Sequence, residues 1–253
     1  MSTAFIDFDF TSLTAIQTAH NASYIHTSKL IQSHAATLSL DGPDTPPELL
    51  PEVSIELLRS LHESDPSAAE TPLTFSKPSP PVPSRVQFVL YADKCPKTVE
   101  NFLRLCDGTK GLGKASKKPL HYKGGRVHRI VEGYCVQWGD IVKGDGSSGD
   151  SIYGGKFNDE PQGLKLPITR GSLVMANSGK HSNTSQVFIV LSRDAERIKK
   201  NMQGKHVVFG HVIGFGEGDN VTSESAIEAA NVMALFDNAK ESTEVLIKDC
   251  GVY

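Results

Sequence analysis

Residues 128–140 read HRIVEGYCVQWGD, which sets one fixed cation, one amide and one aromatic ring on a run otherwise built like a β-strand. Three further blocks follow in the chain: MAN at 175–177, SQVFI at 185–189 and GKHVVFG at 204–210. Glycine residues separate these blocks, which indicates short strands joined by tight turns.

The region from residue 85 onward has the pattern of a mostly β domain. Residues 86–91 alternate as a half-buried strand, and Pro96 opens a helix that Gly108 ends in the left-handed conformation. Further strands are expected at 127–139, 172–177, 186–191, 207–213 and 245–251, with a second helix over about 225–236. Many short strands with two helices predict a closed antiparallel barrel capped at its ends.

The first 83 residues have a different pattern. Residues 4–10 are apolar and aromatic with alternation, which predicts a strand, and apolar residues at helical spacing follow over 13–38. The proline-containing stretch 41–47 breaks the chain before a second amphipathic helix, which Asp65-Pro66 ends. The proline-rich stretch 78–83 predicts a stiff polyproline II connector.

The four blocks, in this order, resemble the cyclophilins, the peptidyl-prolyl cis/trans isomerases, over roughly residues 86–252. The resemblance implies a mostly β fold, an eight-stranded antiparallel barrel capped by two helices. It also implies isomerisation of X-Pro bonds, which assists protein folding or conformational switching, without a cofactor or a metal. The histidines at 20, 26, 34 and 62 have no metal-ligand spacing.

The first barrel strand raises a question about domain boundaries. Cyclophilins begin with an aromatic-rich strand joined by a short loop to the next, yet the residues just before Arg85 are proline-rich. We therefore expect the barrel domain to comprise residues 4–10 plus 84–253. Residues 11–83 would then be a helical insertion that ends in the proline-rich linker.

Isomerising an X-Pro bond requires weakening the amide resonance that sets a barrier of about 18–20 kcal/mol. A guanidinium that donates toward the prolyl nitrogen does this, and Arg129 is the candidate. By resemblance, Gln137 orients it, the Asn177 main chain and Gln186 hold the substrate backbone, and an apolar pocket receives the proline ring. The candidate catalytic residues are Arg129, His128, Gln137 and Tyr134; the candidate substrate-binding residues are Met175, Ala176, Asn177, Gln186, Phe188, Met202 and His206.

The chain departs from the family pattern around the proline pocket. Tyr134 stands where the family has Phe, which adds a hydroxyl that needs a partner. Asn201 aligns with a Trp that typical members use to bind cyclosporin, beyond an extra stretch at 193–200. We expect weakened catalysis on small peptides and a larger loss of cyclosporin affinity.

Residues 113–121 form a longer loop that resembles the divergent-loop subgroup of the family, in which the loop packs near a Glu like Glu160. Lys117 replaces a usual Gly in this loop. The resemblance also implies a candidate redox pair, Cys106 and Cys250. The alternative is that both cysteines are buried packing residues.

Charge and composition limit the partners. Residues 1–83 hold three basic and ten acidic residues, a net charge of −7, so the remainder carries +4 of the total −3. No basic stripe indicates nucleic-acid binding, no apolar run of about 18 residues predicts a membrane span, and no secretory signal is visible. The four cysteines have no CxxC spacing. We expect a monomer in the cytoplasm, with the nucleus as the alternative.

The expected partners are proline-containing peptides or proteins, with cyclosporin as a weakened ligand. Two alternatives to an enzyme stay open on the sequence. One is a proline-recognising scaffold module with incidental catalysis, and the other is a regulated protein whose acidic insertion covers the groove in cis.

Overall fold

The computed structural model describes residues 2–64, 71–78 and 80–253, and it divides the chain into two compact units. The first unit comprises Met1–Thr11 and Pro83–Tyr253, and the second comprises Ser12–Val82. None of the helices among the described residues is long and apolar enough to cross a membrane. The predicted helix stop at Asp65-Pro66 lies outside the described residues.

The first unit is an antiparallel barrel of eight strands, which confirms the predicted fold class. The strands are β1 (Ser2–Phe10), β2 (Arg85–Leu90), β3 (Val127–Val131), β4 (Cys135–Trp138), β5 (Ser172–Met175), β6 (Val187–Val190), β7 (Val208–Val212) and β8 (Val245–Val252). Their order in the sheet is β3-β4-β6-β5-β7-β2-β1-β8. A bridge between Arg126 and Leu246 brings the two ends together, so the barrel is nearly closed.

Strand β1 is an integral part of the barrel, because it pairs with β2 on one side and β8 on the other. Every second residue of β1 from Ala4 to Phe10 is buried, as expected for a strand with one face in a core. The Phe8 ring lies edge-on to Trp138 and to Phe236, with centroid distances of 5.5 and 5.1 Å. The chain thus leaves the barrel after β1 and returns to it at β2.

Helices α3 (Pro96–Asp107) and α6 (Glu224–Asn238) pack on the barrel, which confirms the two predicted capping helices. Pro96 begins α3, and Gly108 ends it with φ +68°. The Glu160 carboxylate accepts hydrogen bonds from the backbone N–H groups of Lys97 and Thr98, so it neutralises the exposed donors of the first turn.

Two short helices complete the first unit: α4 (Pro161–Lys165) and α5 (Ala195–Asn201). Most of α5 is formed by the extra stretch at 193–200. The sequence pattern did not predict a helix there. The Asp194 side chain caps this helix by accepting a 2.9 Å hydrogen bond from the backbone N–H of Arg197.

The 113–118 segment of the long loop is closed by a hydrogen bond from Gly113 N to Lys118 O. Asp150 anchors it by accepting from both the backbone N–H and the hydroxyl of Ser116. That the loop packs near Glu160 stays a prediction. Lys117 has φ +59°, so it keeps the left-handed conformation that suits the glycine it replaces.

The second unit contains α1 (Thr11–His34), a 3-10 turn (Pro47–Leu49) and α2 (Glu52–Ser64). Its small core is formed by Ile31, Leu38, Leu50 and Leu58. Helix α1 ends at His34, four residues short of the predicted periodicity, and Leu38 packs into the core from the following turn.

Candidate functional site

A groove of about 570 Å³ crosses the outer face of the sheet beside β3, β4 and β6. Cross-strand pairing sets its floor: Arg129 pairs with Gln137, Gln137 with Phe188, and Phe188 with Val174. Directly paired residues share a face of the sheet, so this row runs across four strands on the outer side. Their neighbours Val136, Trp138, Val187 and Ile189 point into the barrel core.

The apolar part of the groove is formed by Tyr134, Phe188, Met202 and His206. Phe188 and Met202 are almost fully buried, and the His206 ring lies edge-on to Phe188 with a centroid distance of 5.4 Å. The Nδ1 atom of His206 lies 3.1 Å from the backbone oxygen of Met175, which fixes the ring. Burial lowers the pKa of His206, so the imidazole is neutral at pH 7 and the pocket stays apolar.

Arg129 lies beside this pocket with an exposed side chain. Within the described part of the chain, its guanidinium forms no hydrogen bond or ion pair, and Gln137 is its cross-strand neighbour without a hydrogen bond to it. The guanidinium therefore keeps its full set of donors for a ligand in the groove.

A chain of side-chain amides holds one wall of the groove. Gln137 Nε2 donates to Gln186 Oε1 over 2.7 Å, and Gln186 Nε2 donates to the backbone oxygens of Gly146 and Ser148. The Asp140 carboxylate braces the same loop by accepting from four backbone N–H groups: those of Val142, Lys143, Gly146 and Ser148. Because both N–H groups of Gln186 are used within the protein, this amide positions the groove wall.

Helix α5 lies against Tyr134 at the edge of the apolar pocket. The Arg197 guanidinium carbon is 4.2 Å from the centroid of the Tyr134 ring, a cation–π contact. The Asn201 side chain lies close to the Tyr134 hydroxyl and opposes the rise that burial gives the pKa of that hydroxyl.

The structure brings most of the predicted site residues together and separates two. Arg129, Tyr134, Gln137, Ala176, Asn177, Gln186, Phe188, Met202 and His206 all line the groove. Asn177 Nδ2 donates to the backbone oxygen of Lys205, which ties the two edges of the pocket together.

Met175 and His128 do not line the groove, although His128 lies close to Gln186 and Arg129. Met175 pairs with Val187 on the inner face of the sheet, so its fully buried side chain belongs to the barrel core. The His128 ring lies against Gly146, where an added Cβ would be 2.6 Å away, and it lines a separate cavity with Glu244. Burial lowers the pKa of His128 as well.

Several groove residues were missed by the sequence analysis: Cys135, Lys156, Ser178, Ser182 and Thr184. Cys135 could have been found, because it is two residues from Gln137 on the same strand and therefore shares its face. Lys156 and the hydroxyl residues carry no local signal, since they lie in loops that only the folded chain brings to the groove.

The candidate redox cysteines are both buried and free. Burial raises the pKa of Cys106 far above its ordinary value and that of Cys250 to about 12. No group of three or more His, Cys, Asp or Glu side chains among the described residues is arranged to hold a metal ion.

Comparison with known proteins gives a consistent match for the barrel. The family model described as cyclophilin type peptidyl-prolyl cis-trans isomerase/CLD matches residues 80–252, so β1 lies outside the matched region. A curated protein of Rhizopus delemar named peptidyl-prolyl cis-trans isomerase cyp11 is 42% identical over 167 residues, which cover 66% of this chain and 45% of the relative.

Two other relatives are much longer than this chain. The NK-tumor recognition proteins of Mus musculus and Homo sapiens are each 43% identical over 169 residues, covering 66% of this chain and 11% and 10% of their own lengths. The chain thus spans less than half the length of these three relatives.

Proposed function

Because the chain belongs to the cyclophilin-type peptidyl-prolyl cis-trans isomerase family, we propose that it catalyses the cis/trans isomerisation of X-Pro bonds in peptides and proteins. The observation that carries the proposal is the free Arg129 guanidinium beside the apolar pocket of Phe188, Met202 and His206. This arrangement combines a proline-sized apolar surface with a charged donor.

The reaction needs neither a nucleophile nor a net proton transfer. Rotation about the C–N bond localises the lone pair on the prolyl nitrogen, and that nitrogen then becomes a hydrogen-bond acceptor. Arg129 stabilises this twisted state more than either planar isomer, because only the twisted amide offers it the lone pair. The neutral His206 and the buried Phe188 hold the ring, so the rest of the substrate rotates around it.

The test is the isomerisation rate of an Ala-Pro model peptide with the parent protein, Arg129→Ala and Arg126→Ala. Loss of the Arg129 guanidinium should lower kcat/KM about 100-fold, the magnitude typical of removing one oriented donor, with peptide affinity changed only a few-fold. Arg126 is the matched control: it precedes the same strand, lies outside the groove and forms only an exposed ion pair with Glu244. Peptide binding without turnover in the parent would instead favour a proline-binding module.

We infer that cyclosporin binds more weakly than in members of the family with Trp at the position of Asn201. The Asn201 side chain lies close to Tyr134 and has no indole N–H to donate. Inhibition of the parent and of Asn201→Trp by cyclosporin tests this. Stronger inhibition of the variant is expected, and a nanomolar inhibition constant for the parent would contradict the inference.

We propose that the protein assists protein folding or conformational switching. We propose a reducing compartment as its location, either the cytoplasm or, as the alternative, the nucleus. The four free, buried cysteines support a reducing environment. Acceleration of the proline-limited refolding of a model protein and imaging of a tagged full chain test the two parts separately. Size-exclusion chromatography tests the expected monomer.

A further inference from the structure

Arg197 is a second guanidinium at the edge of the proline pocket. It lies on α5, the helix formed by the extra stretch, and its guanidinium stacks over the Tyr134 ring at 4.2 Å. Its side chain is exposed, and no carboxylate among the described residues forms an ion pair with it. Asp194, the nearest acidic residue in the helix cap, is engaged with the Arg197 backbone N–H.

The stacking leaves Arg197 ready to bind an anion. A guanidinium that packs on an aromatic ring uses its flat face, so its N–H groups remain available around the edge for bidentate contact with a carboxylate. The contact with Tyr134 also restricts the long side chain before any ligand arrives, which reduces the entropy lost on binding.

Arg129 and Arg197 act on the same part of the groove. Burial raises the pKa of the Cys135 thiol to about 11, and the charges of Arg129 and Arg197 both oppose this rise. Both guanidiniums likewise oppose the effect of burial on the Tyr134 hydroxyl. Both cations therefore lie close to Tyr134, which lines the pocket that receives the proline.

The charges along this segment are mostly basic, and Glu132, Asp194 and Asp237 line the separate cavity that Arg197 lines. Residues 193–205 contain five basic and two acidic residues, and Lys156 lines the groove as well. A basic rim of this kind attracts acidic segments and disfavours basic ones.

We propose that α5 makes the protein selective for X-Pro segments that carry a carboxylate side chain near the proline, with Arg197 as the residue that binds it. This inference rests on the proposed isomerase function and names its substrate class. Arg129 acts on the prolyl amide, and Arg197 acts on the neighbouring side chain that lies over Tyr134.

The test uses Ala-Pro peptides with Glu, Gln or Lys at each of the two positions on either side of the Ala-Pro pair. At the position facing α5, we expect kcat/KM to be about three- to fivefold higher for Glu than for Gln, the range of a part-exposed ion pair, and lower still for Lys. The preference should weaken between 50 and 500 mM salt, because salt screens exposed charges.

Variants assign the preference to one side chain. Arg197→Gln should bring the Glu to Gln ratio close to one, Arg197→Lys should retain part of it, and Arg197→Glu should favour the Lys peptide. Lys199→Gln is the matched control, because it removes one charge from another exposed position of the same helix, whereas the cation–π contact with Tyr134 is made by Arg197. It should keep most of the preference.

The outcomes separate this inference from the isomerase function. Turnover of all peptides with equal rates for Glu and Gln at every position overturns the selectivity and leaves the isomerase intact. Equal losses in Arg197→Gln and Lys199→Gln overturn the assignment to Arg197. Absence of turnover with every peptide overturns the isomerase function, and the selectivity proposal with it.

Discussion

A 2.7 Å side-chain hydrogen bond joins Gln137 on β4 to Gln186, which directly precedes β6. Gln186 also donates to the 146–148 loop, so it connects this loop to the cross-strand row that contains Arg129 and Gln137. The groove floor and the groove wall are therefore one hydrogen-bonded unit. Both amides are thus part of the frame of the groove, and the roles predicted from the resemblance, Gln137 orienting Arg129 and Gln186 binding substrate, stay predictions.

This network predicts non-additive effects of mutation. Gln137→Ala should lower kcat/KM about tenfold, since one hydrogen bond contributes about 1–1.5 kcal/mol, and Gln186→Ala should lower it more, because it also removes the bonds to Gly146 and Ser148. The double variant should lose much less than the product of the two effects, because both single changes break the same bond. Gln87→Ala, on β2 and away from the groove, is the control. Strictly additive losses would contradict a shared network.

Lys117 predicts a stabilising substitution. A residue other than glycine at φ +59° costs about 1–2 kcal/mol, partly offset by the greater freedom of glycine in the unfolded chain. Lys117→Gly should therefore raise the free energy of unfolding by about 1 kcal/mol. Lys118 does not have a positive φ, so the control Lys118→Gly should lower the free energy of unfolding. The fluorescence of Trp138, the one tryptophan of the chain and buried in the barrel, reports the urea midpoint.

The position of β1 predicts which truncations fold. A fragment beginning at residue 80, where the family match begins, lacks Ile6, Phe8 and Phe10 and leaves β2 and β8 with open edges. Three large buried side chains contribute roughly 5–9 kcal/mol, comparable with the whole stability of a domain. The fragment should therefore be unstable or aggregate.

The matched control for this truncation removes residues 12–82 and joins the ends by a short linker, which keeps β1. That variant should unfold cooperatively and retain isomerase activity, as expected if residues 11–83 are an insertion. A stable and fully active 80–253 fragment would contradict the role of β1, and collapse of the excised variant would contradict the insertion.

The cysteine pair predicts slow thiol chemistry in the native state. Because burial raises the pKa of Cys250 to about 12 and that of Cys106 well above its ordinary value, both thiols are protonated at pH 7–8 and the reactive thiolate is scarce. Ellman's reagent should label neither within minutes in the native protein, and should label all four cysteines after denaturation. Rapid native labelling that disappears in a Cys106→Ala, Cys250→Ala variant would support the redox pair instead.

The parts of the fold that follow from local pattern were predicted well. The alternation of residues 4–10, Pro96 at the start of α3 and Gly108 at its end are confirmed, since each depends on a few neighbouring residues. Helix α5 was not predicted, because the seven-residue segment has a mixed charged composition and only its contact with Tyr134 shows its role.

The amino-acid sequence by itself determined the family, the barrel class and the presence of Arg129, Phe188 and His206, because strand alternation, turn glycines and side-chain chemistry are local properties. Only the tertiary structure decided which face each side chain occupies. Register places Met175 inside the barrel and Phe188 outside it, and close packing turns His128 toward Gly146. A distant loop brings Lys156 to the groove, and helix α5 brings Arg197 against Tyr134 at its edge, since both positions depend on how the strands pair.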